Sequence, residues 1–214
     1  MKNGTLFFLG LFASFTVSFA VVLLANHQLG ALTPYFDDGE GKAFPDRMPG
    51  VAARGQLVYR DLGCASCHTQ QVRRPGFGAD QARGWGERQS VARDYIFQPF
   101  AQLGTMRIGP DLTNSAGRKP SALDAEDLMN LLYAGQGAMP AHAFLFEQVK
   151  VTGEVPAKAL KLTGSAAPAA GYAVVPNEQA QTLVAYLLNL NTVYDYPESR
   201  PVVQAAAQAE GAHK

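Results

Sequence analysis

Cysteine is nearly absent from this chain of 214 residues, since only two are present, too few for a disulfide-stapled scaffold of the secreted type. Charged residues are also sparse at 17%, and the equal totals of 18 basic and 18 acidic side chains give a formal net charge of zero. A nucleic-acid-binding protein normally carries a basic excess, so nucleic acid is not expected as a partner. Hydrophobic residues reach 47%, which excludes disorder by composition. We therefore expect one domain of ordinary size with additional segments.

Long apolar runs are limited to one near the N-terminus, where Thr5 to Leu24 carries no charge. A helix rises about 1.5 Å per residue, so this run spans the ~30 Å hydrocarbon core of a bilayer. A cleaved signal peptide has a shorter apolar region of ~7–15 residues, followed by a cleavage site of small residues. Ala20 and Ala25 form only a poor match to such a site. The run therefore favours an uncleaved membrane anchor, with residues 5–24 in the lipid bilayer.

The charges that flank this run indicate its orientation. Lys2 is the sole charge before the span, whereas Asp37, Asp38 and Glu40 follow it. Cytoplasmic segments of membrane proteins carry an excess of Lys and Arg, so the bulk of the chain is predicted to lie outside the cytoplasm. In a bacterium this corresponds to the cytoplasmic (inner) membrane, with the larger part on its periplasmic face.

The remaining chain reads as mainly α, with long loops, no convincing strand and no internal repeat. Three helices follow from apolar spacing together with start and stop signals. One begins near Val51 and is stopped by Gly63, one begins at an N-capping Ser121 and ends before Gly135, and one runs from Glu178 to Leu190. The predicted organisation is an anchor (1–25), a tether broken by Pro and Gly (26–49), a helical domain (50–196) with an exposed Ala/Pro/Gly-rich insertion (about 153–176), and a disordered tail (197–214).

The two cysteines stand in the sequence Cys64-Ala65-Ser66-Cys67-His68, which is the C-x-x-C-H attachment signature of a c-type haem. One turn of helix brings the two thiols to the two vinyl groups of one haem and places His68 as the proximal iron ligand. A thioredoxin-like dithiol would need a βαβ context, and a zinc site needs about four ligands, which this cysteine-poor chain lacks. We therefore predict one covalently bound haem c, attached through Cys64 and Cys67.

The identity of the sixth iron ligand decides whether such a haem carries electrons or binds external ligands. Met139 is favoured because it lies in the loop Gly137-Ala138-Met139-Pro140, just beyond a helix end, where a thioether can reach the distal face. Met106 is the next candidate, His142 is a weaker one, Met48 lacks a distinctive setting, and Met129 lies inside a helix. His/Met ligation raises the reduction potential, as in electron carriers.

In its order of elements the chain resembles a class I cytochrome c over residues 50–195. The order is a helix, CASCH, a loop with Gly109-Pro110-Asp111-Leu112, a second helix, Met-Pro, and a last helix containing LVAYL. The resemblance implies that the Pro110 carbonyl accepts the ring N–H of His68. It also implies that the first and last helices cross, with Gly55 and Tyr59 against Leu183 and Tyr186.

More narrowly, the chain looks like the mono-haem subunit II of cbb(3)-type cytochrome c oxidases. The resemblance is carried by the anchor, by CASCHTQQVRRP and by MRIGPDLTNSAGRK. It implies electron transfer from a di-haem cytochrome c subunit, or from a soluble cytochrome c, to the haem-copper subunit I, in a chain that has no oxygen-reducing site of its own. Arg73, Arg74, Arg107 and Arg118 would then be candidates for haem propionate or partner contacts.

Alternative functions share parts of this pattern. A free-standing, membrane-anchored cytochrome c that shuttles electrons between respiratory complexes would have the same haem features. A non-redox module would use Cys64 and Cys67 as a disulfide or metal clip, and a five-coordinate haem sensor would lack the sixth ligand. Small and polar residues in the anchor, such as Gly10 and Ser14, suit packing against other helices and favour the oxidase subunit.

Overall fold

A computed structural model describes residues 3–118 and 122–200 of the chain. These residues form two compact units, one ending at Phe44 and one beginning at Pro45. The predicted mainly α fold class with one N-terminal apolar helix is confirmed, although the described residues also contain two small antiparallel sheets.

The first unit consists of one long helix and a short hairpin. Helix α1 covers Gly4–Gly30, its most apolar 18-residue window has a mean hydropathy of 2.4, and none of its residues is buried. At about 1.5 Å per residue it is long enough to cross a membrane. Strands β1 (Tyr35–Asp37) and β2 (Lys42–Phe44) follow and pair antiparallel. The prediction of a tether without regular elements from residue 26 is therefore wrong, because the helix continues to Gly30 and the turn residues 38–41 close a hairpin.

The second unit is built on three α-helices. They are α2 (Gly50–Asp61), α3 (Ala125–Ala134) and α4 (Glu178–Leu188), with short 3₁₀ turns at Cys64–Ser66, Ala92–Tyr95, Ala143–Leu145, Gly164–Ala166 and Pro197–Ser199. Helix α3 is capped three residues later than predicted, because the Asp124 carboxylate caps it by accepting the Asp127 amide at 2.8 Å. The predicted cap, Ser121, lies outside the described residues.

Helices α2 and α4 cross in close contact. A Cβ at Gly55 would lie 2.8 Å from Cβ of Tyr186 and would clash with the backbone carbonyl of Thr182, so only glycine fits at this crossing. The rings of Tyr59 and Tyr186 pack edge to face at 5.4 Å, and both side chains are buried, as is Leu183. The expected pairing of Gly55 and Tyr59 with Leu183 and Tyr186 is thus present in the structure.

The supposed insertion contributes to the core. Strand β4 (Tyr172–Pro176) pairs antiparallel with β3 (Phe146–Lys150), Val174 is 1% exposed, and Leu160 donates its amide to the Val174 carbonyl at 2.8 Å. The expectation of an exposed segment over 153–176, and of a domain without strands, is wrong in this part because Ala173, Val174 and Pro176 of β4 are buried, with Val174 in the same core cluster as residues of α4.

The beginning of the predicted disordered tail is ordered. Residues Pro197–Ser199 form a 3₁₀ turn, Ser199 is buried, and Arg93 pairs with Glu198 at 2.5 Å. The rest of the predicted tail, residues 201–214, lies outside the described residues.

Candidate functional site

The C-x-x-C-H sequence forms a tight turn directly after α2. Gly63 ends the helix with a φ of 72°, a left-handed conformation that favours glycine. The amides of Cys67 and His68 then donate to the Cys64 carbonyl at 3.2 and 3.0 Å. Cys64 and Cys67 are not joined in a disulfide, and both line the same cavity as His68.

A cavity of about 560 Å³ opens beside this turn. Both thiols, His68, Pro110, Arg118 and Met139 line it. Seven leucines from α3, α4 and the segments around the helices make up much of the remaining wall: Leu62, Leu112, Leu123, Leu128, Leu131, Leu132 and Leu187. The structure therefore brings the residues predicted to attach and ligate a haem to one apolar cavity, of a size typical for cofactor pockets.

The imidazole of His68 is held by the segment that contains Pro110. Its Nδ1 lies 2.9 Å from the Pro110 carbonyl oxygen, which can only accept a hydrogen bond. Nδ1 therefore carries the proton, and the lone pair of Nε2 is available for a metal. This is the contact that the resemblance to class I cytochromes c implied.

Gly109 allows the segment to approach the imidazole this closely. A Cβ at Gly109 would lie 2.6 Å from Nδ1 of His68, and closer still to Cε1, whereas ordinary contact begins at about 3.4 Å. Gly104, with a φ of 82°, lies against the backbone of His68 and Thr69, where a Cβ would lie 2.7 Å from Cα of Thr69. Two glycines thus leave room for the backbone to pass against His68 and the residue that follows it.

Met139 reaches the cavity from a tight loop after α3. Met139 and Gln136 exchange backbone hydrogen bonds of 2.9 and 3.1 Å, and the His142 amide donates to the Leu132 carbonyl at 2.8 Å, so the loop folds back on the helix end. Gly135, at a φ of 71°, has no room for a Cβ beside the Met139 carbonyl. Helix end and loop together fix the position of the thioether.

The other candidate sixth ligands divide into two groups. Met48, Met106 and Met129 are not among the described residues that line the cavity, and Met106 is 53% exposed. His142 does line it, and its buried Nδ1 has no hydrogen-bond partner among the described residues. The structure therefore narrows the choice to Met139 and His142.

Two of the predicted propionate-binding arginines are engaged elsewhere. Arg73 and Arg107 both bind the fully buried carboxylate of Asp80, at 2.8 and 2.6 Å, and neither is among the described residues that line the cavity. Burial alone would raise the pKa of Asp80, but the hydrogen bonds from these two guanidinium groups hold it well below its usual range. They cross-link the loop after the haem motif. Arg74 instead stacks on the exposed ring of Phe77, at 3.9 Å.

Arg118 differs from them because it lines the cavity. Its Nη2 donates to the Asp111 carbonyl, while its buried Nε has no hydrogen-bond partner among the described residues. Burial lowers the pKa of this guanidinium, but an arginine stays protonated at physiological pH. A buried N–H without a partner at the cavity wall suits an anionic group such as a carboxylate.

Burial also affects the thiol of Cys64, which lines the cavity, and the hydroxyl of Tyr186. It raises the pKa of the Cys64 thiol to about 11, so the free thiol is protonated at neutral pH. Burial similarly raises the pKa of Tyr186 to about 12, and its hydroxyl donates to Oε1 of Gln70 at 2.8 Å. This bond ties the α2–α4 crossing to the segment that follows His68.

Sequence reasoning did not single out Asp80, Gly104, Gly109 or Asp111. Gly109 and Asp111 flank Pro110 in the quoted motif, so the motif itself was the signal that pointed to them. Nothing in the local sequence around Asp80 indicated that two arginines would converge on it.

Taken together, the residues fit a c-type haem. Two thiols, an imidazole with an available lone pair and a thioether line one apolar cavity, and an unpartnered guanidinium N–H suits a propionate. The described residues contain no cluster of three or more His, Cys, Asp or Glu side chains that would form an alternative metal site.

Comparison with known families agrees with this geometry. The sequence model of a family described as "cytochrome c oxidase, mono-haem subunit/FixO" matches residues 49–184, which include the whole cavity wall except Leu187. No curated protein matches the chain.

Proposed function

The chain belongs to the mono-haem subunit family of the cytochrome c oxidases, and from this membership we propose that it is a membrane-anchored c-type cytochrome that relays electrons within a cbb(3)-type oxidase. The observation that carries the proposal is the meeting of Cys64, Cys67, His68 and Met139 on one apolar cavity. The haem that the family implies is attached covalently through the two thiols in this proposal.

The residues around the cavity have distinct tasks. A bound haem supplies the one-electron chemistry. His68 provides Nε2 as the proximal ligand, and its Nδ1–H, donated to Pro110, increases the electron density on the ring. Met139 provides a neutral thioether, which favours the reduced state and raises the reduction potential. The leucine wall limits access of water, and Arg118 binds a propionate through the Nε–H that is otherwise unpartnered.

The partners and the location follow from the same proposal. Electrons arrive from a di-haem cytochrome c subunit and leave to the haem-copper subunit I, where oxygen is reduced. Helix α1 anchors the chain in the bacterial cytoplasmic membrane, and the second unit lies on the periplasmic side. All residues of α1 are exposed in the isolated chain, which suits lipid and neighbouring helices as its surroundings.

Purification of the full chain from mild detergent extracts of its own membranes tests the proposal. We expect one haem that stays with the chain under denaturing conditions, together with b-type haem and larger subunits. The double change Cys64→Ser and Cys67→Ser should abolish the covalent haem. Ser66→Ala is the matched control, because Ser66 lies in the same turn but is not a lining residue of the cavity within the described structure.

Two outcomes would contradict the proposal in different ways. A c-type haem with nothing copurifying would favour the anchored electron shuttle. A wild-type chain without any haem would exclude a cytochrome altogether.

A further inference from the structure

Asp111 is a fully buried carboxylate beside the proposed haem site that does not itself line the cavity. Its Oδ2 accepts the Thr69 hydroxyl at 2.6 Å and the Gln71 amide at 2.8 Å, and its Oδ1 accepts the Thr113 amide at 2.9 Å. The cation nearest to the carboxylate oxygens is Arg107, whose Nη2 lies 3.7 Å from Oδ2 and which also binds Asp80. The carboxylate is therefore stabilised mainly by three hydrogen bonds with defined directions.

The two bonds to Oδ2 join the two short segments that carry the His68–Pro110 contact, whereas the bond from Thr113 lies within one of them. Thr69 directly follows His68, and Asp111 directly follows Pro110. The backbone repeats the connection on both sides, because the Gly109 amide donates to the Cys67 carbonyl at 2.9 Å and the Leu112 amide donates to the Thr69 carbonyl at 2.8 Å. The His68–Pro110 hydrogen bond thus lies within a ladder, to which Asp111 supplies two side-chain bonds and Arg107 supplies a third, to the Gln71 carbonyl.

On the premise of the haem site proposed above, we propose that Asp111 is a positioning residue that sets the strength of the His68 Nδ1–H···O=C Pro110 hydrogen bond and, through it, the reduction potential of the haem. Asp111 touches neither His68 Nδ1 nor the cavity. It acts by holding residues 69–71 against residues 111–113, so that the rigid carbonyl of Pro110 stays within hydrogen-bond distance of the ring.

The number of available acceptor sites distinguishes this role from simple space filling. A carboxylate offers acceptor sites on both oxygens, whereas asparagine of the same shape offers one acceptor oxygen and one NH₂ donor. In Asp111→Asn, the new NH₂ group therefore faces a backbone amide in either orientation, that of Thr113 or that of Gln71, and one of these buried amides loses its acceptor. The bonds that still reach residues 69–71 are also weaker, because a neutral amide oxygen is a poorer acceptor than a carboxylate, so the Pro110 carbonyl is held less firmly against His68.

Thr69→Val tests the same ladder without changing charge. It removes only the shortest bond to Asp111, while valine keeps nearly the shape of threonine. Asp94→Asn is the matched control for loss of a buried carboxylate, since Asp94 is 3% exposed and binds Arg88 and the Val91 amide, outside both segments.

The experiment compares full-length haem-loaded proteins in detergent. Proton NMR of the reduced, diamagnetic state measures how fast the ring N–H of His68 exchanges with deuterated solvent, and an equilibrium redox titration gives the potential. We expect Asp111→Asn to speed the exchange by about fivefold or more and to raise the potential, because a weaker hydrogen bond makes His68 a poorer electron donor to the oxidised iron. Thr69→Val should shift both quantities in the same direction by less, and Asp94→Asn should leave the exchange rate unchanged.

The possible failures are distinguishable. Unchanged exchange in both Asp111→Asn and Thr69→Val, in proteins that contain haem, would overturn the positioning role alone. A raised potential in Asp111→Asn with unchanged exchange would also overturn it, because loss of a buried negative charge would then explain the shift. A wild-type protein without haem would overturn the proposed function instead. If Asp111→Asn does not fold, the result with Thr69→Val decides.

Discussion

Replacing Gly109 with alanine is expected to disturb the proximal side of the haem site. The new Cβ would lie 2.6 Å from Nδ1 of His68, while ordinary contact begins at about 3.4 Å. The ring and the backbone must therefore separate by about 0.8 Å, the difference between these two values. Such a shift lengthens the present 2.9 Å distance between Nδ1 and the Pro110 oxygen beyond the ~3.2 Å limit of a good N–H···O bond.

The size of the effect follows from the worth of one hydrogen bond. A typical bond contributes about 0.5–1.5 kcal/mol. The oxidised state loses most of this free energy, because its electron-poor iron gains most from a basic imidazole. The loss corresponds to a rise in reduction potential of roughly 20–65 mV for one electron. The sign is upward because the oxidised state loses stabilisation.

A redox titration of the purified full-length Gly109→Ala protein measures this shift. Gly153→Ala is the matched control, because nothing lies within 4 Å of its Cβ position and its φ is outside the left-handed region. A Gly109→Ala protein that keeps both the potential of the control and the slow exchange of the His68 ring N–H would refute the reasoning.

Three further predictions concern stability and the sixth ligand. Gly55→Ala should lower the free energy of unfolding by about 1–3 kcal/mol, measured by urea denaturation, because its Cβ cannot fit against Thr182 without separating the two helices; equal stability would contradict this close crossing. Asp80→Asn should lower the free energy of unfolding by about 3 kcal/mol at neutral pH. This value is at the lower end for a broken buried ion pair, because the side chain of one partner, Arg73, is 39% exposed. Since the folded-state pKa of Asp80 is lowered, its stabilisation is complete above the ordinary aspartate pKa of ~3.9 and is lost as the pH falls further; denaturation curves of wild type and variant should converge in acid, and a constant difference would argue against this linkage. Met139→Ala should allow the reduced protein to bind carbon monoxide and should lower the potential, as seen in the visible spectrum and a redox titration, whereas His142→Ala should do neither; the reverse pattern would make His142 the sixth ligand.

The parts of the site that sequence could predict are those encoded by short-range spacing. The turn Cys64–His68 is a local pattern whose residue types serve one chemistry, whereas the role of the Gly-Pro-Asp-Leu segment and the crossing of Gly55 with α4 were implied by the resemblance to class I cytochromes c. The apolar stripe of α4 was likewise visible in its periodicity, and Leu183 is buried as expected.

The parts that sequence did not predict depend on contacts between distant residues. Strand β4 lies in an Ala/Pro/Gly-rich stretch, and its partner β3 supplies the pairing that makes it a strand. The convergence of Arg73 and Arg107 on Asp80 likewise arises only when the loop folds, so these arginines looked like free cations for propionates. A loop brings such groups together through tertiary packing, which local periodicity does not encode.

The most direct test of the central claim is the speed at which the haem of this chain passes electrons to oxygen in the intact complex. The reduced complex is mixed rapidly with oxygen, and the c-type absorption band is followed in time in the wild type and in a Met139→Ala complex, so that the contribution of this chain's haem is separated from that of the di-haem subunit. Relay of electrons through this chain predicts that its haem is oxidised at least as fast as the complex turns over. A c-type haem that is oxidised much more slowly than turnover would place this chain off the path of electrons and contradict the account.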